Sequence, residues 1–187
     1  MSNQPFPLPV IEESRLVFEE SLIKIRRDML RKGQQPPYRY YSLLTRPFAV
    51  VILATTPEES YVLIEEYRHP TGKILLGCPG GYIDEGEDPL ESAAREFEEE
   101  TGYRADSFEL IGSAFPYAGV SAQKTFYIKA KNAVLHSKPK LEPSEVIQTR
   151  LLSAEQLNRT IEEGIELDGT LCTALFFHAR RYILTTP

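Results

Sequence analysis

Residues 77–103 read GCPGGYIDEGEDPLESAAREFEEETGY, from Gly77 to Tyr103, with four glycines in the first ten positions and then an acidic stretch with helical punctuation. Asp88 suits an N-cap, Pro89 the first helical position, Glu91 the far side of a capping box, and Gly102 the left-handed residue that ends a helix. The spacing predicts a helix over Pro89–Thr101. At about 100° per residue, Glu96, Glu99 and Glu100 share one face, whereas Leu90, Ala93, Phe97 and Thr101 form the core face. Glu91 and Glu98 point elsewhere and read as solvated. Like charges three or four residues apart destabilise a helix by about 0.2–0.5 kcal/mol per pair. A partly buried cluster costs more unless a cation neutralises it.

All-oxygen donors favour Mg²⁺ or Mn²⁺ over zinc, and His69, His136 and His178 are too scattered to offer another metal site. Mg²⁺ keeps waters and leans on substrate phosphates, so the cluster implies a phosphate-bearing substrate. The upstream loop Gly77-Cys78-Pro79-Gly80-Gly81 lets backbone carbonyls approach a metal closely. It is not a Walker A loop, since no Gly-Lys-Ser/Thr closes it, and the spacing of a dinucleotide fingerprint is missing. An EF-hand fails for want of its loop glycine and closing glutamate.

Outward from this stretch, the 187 residues are 42% hydrophobic and 26% charged, which bounds the chain to one globular domain with a small appendage and excludes disorder, collagen and a disulfide scaffold. The net charge is −6, with nine acids and one base between Asp84 and Glu100. Local cation binding fits that distribution, and nucleic-acid binding, which wants a basic stripe, does not. No apolar run spans a membrane, and Met1–Val10 carries three prolines where an export signal needs a long apolar core, so a cytoplasmic protein is expected. Cys78 and Cys172 read as reduced, buried thiols.

The N-terminal part reads as strands. Arg15–Arg27 alternates apolar and polar residues around Leu16–Phe18 and Leu22–Ile25, as a hairpin would, and Tyr38–Leu44 is an aromatic strand. Phe48–Ala54 reads as a strand buried on both faces, with Tyr61–Tyr67 as its partner. Beyond the helix come strands Phe108–Ser113, Lys124–Ala130 and Val146–Leu152, with a Lys- and Pro-rich linker over 131–142. Ser153 with Gln156 caps a short helix, and Leu171, Ala174, Leu175, His178 and Tyr182 trace one face of a last one.

Gly81, Glu87, then Arg95-Glu96-Phe97 and Glu99-Glu100 with Gly102-Tyr103 resemble the Nudix box, G-x5-E-x7-R-E-U-x-E-E-x-G-U, at every specified position over 23 residues. The resemblance implies an α/β fold, the Nudix α/β/α sandwich with a mixed sheet. It divides the chain into an N-terminal β segment over 1–45, its first ten residues flexible, and a hydrolase domain over 46–187. It implies metal-dependent hydrolysis of a nucleoside diphosphate linked to another group, with Mg²⁺ (or Mn²⁺) held by Glu96, Glu100 and the carbonyl of Gly80. Glu99 would be a further ligand or a partner of one, and Arg95 would orient Glu87 and the helix.

Tyr67-Arg68-His69-Pro70 followed by Gly72 and Pro79-Gly80-Gly81 looks like the layout of ADP-ribose pyrophosphatases and nucleotide-sugar hydrolases. That group implies a homodimer formed through the N-terminal strands, Arg68 on the substrate's phosphates or terminal ribose, and a late-loop general base. Glu145 occupies the matching place, with Glu142 as the reserve. Ala118 stands where the group usually has a proline, Leu76-Gly77 replaces its Trp-Glu, and the chain has no tryptophan. A broader nucleoside diphosphate sugar substrate class follows, with Tyr or Phe stacking the base. The alternatives are a Nudix hydrolase of dinucleoside polyphosphates or capped RNA ends, and a nucleotide-sugar sensor without turnover.

Overall fold

The computed structural model describes residues 7–20 and 23–183. Leu22 and positions 1–6 of the N-terminal reading lie outside the described residues, as does the side chain of Tyr182. The chain divides into two compact units, one formed by the chain up to Pro47 with Tyr117–Gln123, the other by Phe48–Pro116 and the chain from Lys124 onward.

In the first unit, β1 (Val10–Glu20), β2 (Ile23–Arg31) and β3 (Tyr38–Leu44) form an antiparallel sheet in that order. The expected hairpin is present, with strands longer than its apolar stretches. Cross-strand pairing extends them, since backbone bonds form wherever a partner lies alongside. Buried Asp28 is satisfied by the Ser14 hydroxyl at 2.6 Å and Arg26 Nε at 3.0 Å. Tyr40 Oη donates to the Gly119 carbonyl at 2.7 Å and Leu43 N–H to that of Val120 at 2.7 Å. All of β1 is exposed, Val10, Ile11, Leu16, Val17 and Phe18 included.

The second unit is built on β4 (Phe48–Thr55), β5 (Tyr61–Arg68) and β6 (Lys73–Gly77), followed by α1 (Pro89–Thr101) and β7 (Tyr103–Arg104). Then come β8 (Ser107–Ala114), β9 (Lys124–Lys131), β10 (Val134–Leu135) and β11 (Ile147–Leu152), with α2 (Ala154–Glu162) and α3 (Gly169–Ile183) last. The sheet runs β11-β5-β4-β9-β8, with β6 also on β5; β4 and β9 are parallel and the other pairs antiparallel. Strand periodicity divides the core between two faces. Val50, Ile52 and Ala54 pack with Ala93 and Phe97 of α1, whereas Val51 and Leu53 pack with Leu157, Leu171 and Ala174 of α2 and α3. This is the expected α/β/α sandwich. Among the described residues no helix is long and apolar enough to cross a membrane.

Three local expectations about side chains are corrected, and the 131–142 linker holds a short strand, β10, paired with β7. β6 was not foreseen, because its five residues run into glycines and owe their conformation to pairing with β5. Leu90 is half-exposed and Ser92 takes the buried position. Cys172 is exposed on α3, and only Cys78 is buried. Asp88 caps α1 by accepting from Leu90 N–H at 2.8 Å, one residue short of the capping-box position.

Candidate active site

The strongest positional constraint lies in Pro79–Ile83, which runs beside β4 like one more strand. Ile52 N–H donates to the Pro79 carbonyl and Val50 N–H to that of Gly81, both at 2.9 Å, and Ile83 N–H reaches the Phe48 carbonyl at 3.2 Å. Gly80 turns the other way. Its N–H donates to Oε2 of Glu100 at 2.7 Å, and its carbonyl accepts no hydrogen bond among the described residues. A β-carbon at position 80 would stand 2.2 Å from the Val50 carbonyl, so only glycine lets the chain pass this close to the core strand.

On α1, Glu100 is 5% exposed, Glu96 is part-buried, and Glu99 is turned outward, its side chain 47% exposed. Arg95 gathers the surrounding carboxylates. Its Nε and Nη2 bind the two oxygens of Glu87 at 3.0 and 2.9 Å, and its Nη1 binds Glu96 at 2.8 Å and Glu99 at 3.2 Å. That bidentate grip lowers the Glu87 carboxyl to about 2. Thus Arg95 does hold Glu87 and the face of α1. Glu98, expected to be solvated, pairs with Arg104 at 2.8 Å.

Glu100 is the anomaly. Burial pushes its carboxyl up to about 8 against the Gly80 hydrogen bond, and the charges of Glu66, Glu96 and Glu145 push the same way. Burial also raises Glu96, with the charges of Glu99 and Glu145 adding to it. Four glutamates therefore act on one another through their charges, two from α1, Glu66 from β5 and Glu145 from the loop before β11. Among the described residues no group of three or more carboxylate, imidazole or thiol side chains is placed to hold a metal ion by itself. Carboxylates and a carbonyl with no hydrogen bond among the described residues are all-oxygen donors, the class that suits a hard cation sharing protein oxygens with phosphate. Glu145 accepts from the Glu142 N–H at 2.7 Å within its loop.

Arg68 ends β5. Its Nη1 lies 2.7 Å from Glu66 and its Nε 3.6 Å from Asp168. Neither Glu66 nor Asp168 was singled out from sequence. Glu66 continues the buried face Val62, Ile64, and a carboxylate in that alternation is the signal that could have found it. Contacts thus join Gly80 to Glu100, Glu96 and Glu99 to Arg95, and Arg68 to Glu66 and Asp168, while Glu145 acts on Glu96 and Glu100 through its charge.

The NUDIX domain family model matches residues 45–168. The ADP-ribose pyrophosphatase of Bacillus subtilis (strain 168) is 28% identical over 134 residues, covering 71% of this chain and 72% of that protein. The methanol dehydrogenase activator of Bacillus methanolicus is 42% identical over 97 residues, 51% of each chain. A crystal structure of an ADP compounds hydrolase superposes with a TM-score of 0.83 over 97% of both chains at 22% identity, a likeness of fold. With the box at residues 81–103 folded as loop and helix against the central sheet, and the family model covering most of the chain, this protein belongs to the Nudix family of hydrolases.

Proposed function

We propose that the chain hydrolyses the pyrophosphate bond of nucleoside diphosphate sugars, ADP-ribose and ADP-glucose among them, releasing a nucleoside monophosphate and a sugar phosphate. The observation that carries this reading is the buried carboxylate of Glu100, held by the Gly80 N–H amid Glu66, Glu96 and Glu145. The name of the Bacillus subtilis relative, an ADP-ribose pyrophosphatase, supports the substrate class.

Glu96, Glu100 and the Gly80 carbonyl would hold Mg²⁺ or Mn²⁺, with Glu99 at the edge of the set. Such an ion, when bound, neutralises these carboxylates and withdraws charge from phosphate oxygens. Arg68 binds the substrate's phosphates. Glu145 takes a proton from the attacking water, whose oxygen bonds to one phosphorus as the bridging P–O bond breaks and leaves with the other phosphate. Arg95 keeps Glu87 and Glu96 in place without touching substrate.

The exposed apolar side chains of β1, whose outer edge pairs with nothing among the described residues, support a homodimer that covers them. Two unpaired cysteines suit the cytoplasm. The deciding experiment incubates the protein and Mg²⁺ with ADP-ribose, ADP-glucose, CDP- and GDP-sugars and dinucleoside polyphosphates and identifies products by mass. Cleavage of the sugar nucleotides is expected. Cleavage of dinucleoside polyphosphates alone, or tight binding of sugar nucleotides without product, overturns the reading. Sedimentation of wild type and Phe18→Asp tests the dimer, which the substitution should dissociate.

A further inference from the structure

Arg68 is held by two carboxylates from different elements, and one of them has a second task. The segment Glu166–Asp168 lies along β6, with Leu76 N–H on the Glu166 carbonyl and Asp168 N–H on the Leu76 carbonyl, both at 2.9 Å. β6 in turn pairs with β5 in a register that sets Arg68 opposite Lys73 and Glu66 opposite Leu75. Asp168 is thereby fixed beside the end of β5, just ahead of α3. Its Oδ1 accepts from Thr170 N–H at 2.8 Å and from the Thr170 hydroxyl at 2.6 Å, which caps the helix. Its Oδ2 lies 3.6 Å from Arg68 Nε.

The exposures run in a telling direction. The side chains of Asp168 and Glu66 are 13% and 14% exposed, that of Arg68 45%. Two anchored carboxylates flank an exposed cation, one nearest its Nη1 and the other nearest its Nε. A long flexible side chain is thus restrained before substrate arrives, which lowers the entropy lost on binding.

We propose that Asp168 is a positioning residue for the reaction. It aims the Arg68 guanidinium at a substrate phosphate and takes its own place from the N-terminus of α3. The proposal rests on the pyrophosphatase reading, in which Arg68 binds phosphate. Charge and cap can be separated, because asparagine caps a helix as well as aspartate but carries no charge.

The test compares wild type, Asp168→Asn, Asp168→Ala, Arg68→Ala and the Asp168→Asn/Arg68→Ala double variant with ADP-ribose and Mg²⁺. Asp168→Asn should keep the wild-type melting temperature and kcat while KM rises about tenfold, and Asp168→Ala should lower the melting temperature as well. The double variant should be no worse than Arg68→Ala alone, because Asp168 acts only through Arg68. Wild-type KM in Asp168→Asn, or single effects that multiply in the double variant, overturns the proposal. The side-chain Nε–H signal of Arg68 in ¹⁵N NMR provides a readout free of turnover, and it should shift in Asp168→Asn. If no sugar nucleotide is cleaved by wild type, the substrate reading fails by itself; an unmoved Arg68 signal then still overturns the positioning role.

Discussion

The carboxylate of Glu96 fills the space into which any side chain at position 81 would grow: a β-carbon on Gly81 would stand 2.4 Å from Cδ and Oε2 of Glu96. At Gly80 the obstacle is instead backbone of β4, the Val50 carbonyl at 2.2 Å. The two glycines therefore fail differently. Gly81→Ala should fold, since the end of Glu96 can swing away, but bind Mn²⁺ at least tenfold more weakly. Gly80→Ala must shift core backbone, and about 1–3 kcal/mol of overpacking should lower the melting temperature by about 2–12 °C. Calorimetry and Mn²⁺ titration by electron paramagnetic resonance check both. Wild-type Mn²⁺ affinity in Gly81→Ala would remove Glu96 from the metal set.

Acid–base linkage at Glu100 gives a second expectation. Its carboxyl is raised to about 8 in the fold, against about 4.3 in an unfolded chain. Between those values the folded state keeps a proton that the unfolded state has lost, so metal-free protein becomes less stable as pH rises through the window. A divalent cation competes with that proton. Saturating Mn²⁺, at about a hundred times its dissociation constant, contributes about 2.7 kcal/mol, equivalent to about 5–10 °C in melting temperature. The rise should be larger at pH 8.5 than at pH 5.5. Glu100→Gln should fold, lose both the pH trend and the metal response, and turn over at least a hundredfold more slowly.

Glu87 has the opposite sign. Its carboxyl is lowered to about 2 by Arg95, so its contribution is complete above the unfolded value of about 4.3 and disappears as pH falls through 2. Glu87→Gln should flatten the acid limb of the stability curve between pH 4 and 2, read by circular dichroism. Arg95→Lys is not conservative, because one ammonium cannot serve Glu87 bidentately while also reaching Glu96 and Glu99. Turnover should fall about 10–100-fold in a folded protein. Full activity in Arg95→Lys would show that the alignment of these carboxylates is immaterial.

Glu145 and Glu142 can be told apart although they touch. The contact uses the Glu142 backbone N–H, which Glu142→Gln retains. Glu145→Gln should lower kcat about a hundredfold or more with KM within threefold, and Glu142→Gln should do neither. The reverse pattern in steady-state kinetics would move the proton-accepting role to Glu142.

The parts of the fold legible in the sequence are those whose signals are local. α1 runs from Pro89 to Thr101, between Asp88 and a left-handed Gly102, as its cap residues require. Ser153 and Gln156 form the reciprocal capping box ahead of α2. Tyr38–Leu44 is the strand that its aromatic residues suggest. What stayed hidden depends on partners distant in the chain. β6 exists because β5 lies beside it, and Asp168 acquires meaning only because β6 carries it next to Arg68, a hundred residues back in the chain. In the site, helical spacing was enough to put Glu96 and Glu100 on one helix face, but not to reveal that Glu99 pairs with Arg95 at a half-exposed position or that the charge of Glu66 on the sheet bears on Glu100.

The strand-like course of Pro79–Ile83 along β4 also governs where this gene can tolerate changes in length. Each backbone bond from Pro79, Gly81 and Ile83 fixes the phase of the next. One residue gained or lost within this segment would exchange inward and outward groups, turning the Gly80 amide away from Glu100 and toward the core. The same insertion in the Pro57–Ser60 turn leaves the pairing of β4 with β9 untouched. Natural variation in length is therefore expected at that turn and to be absent within 79–83.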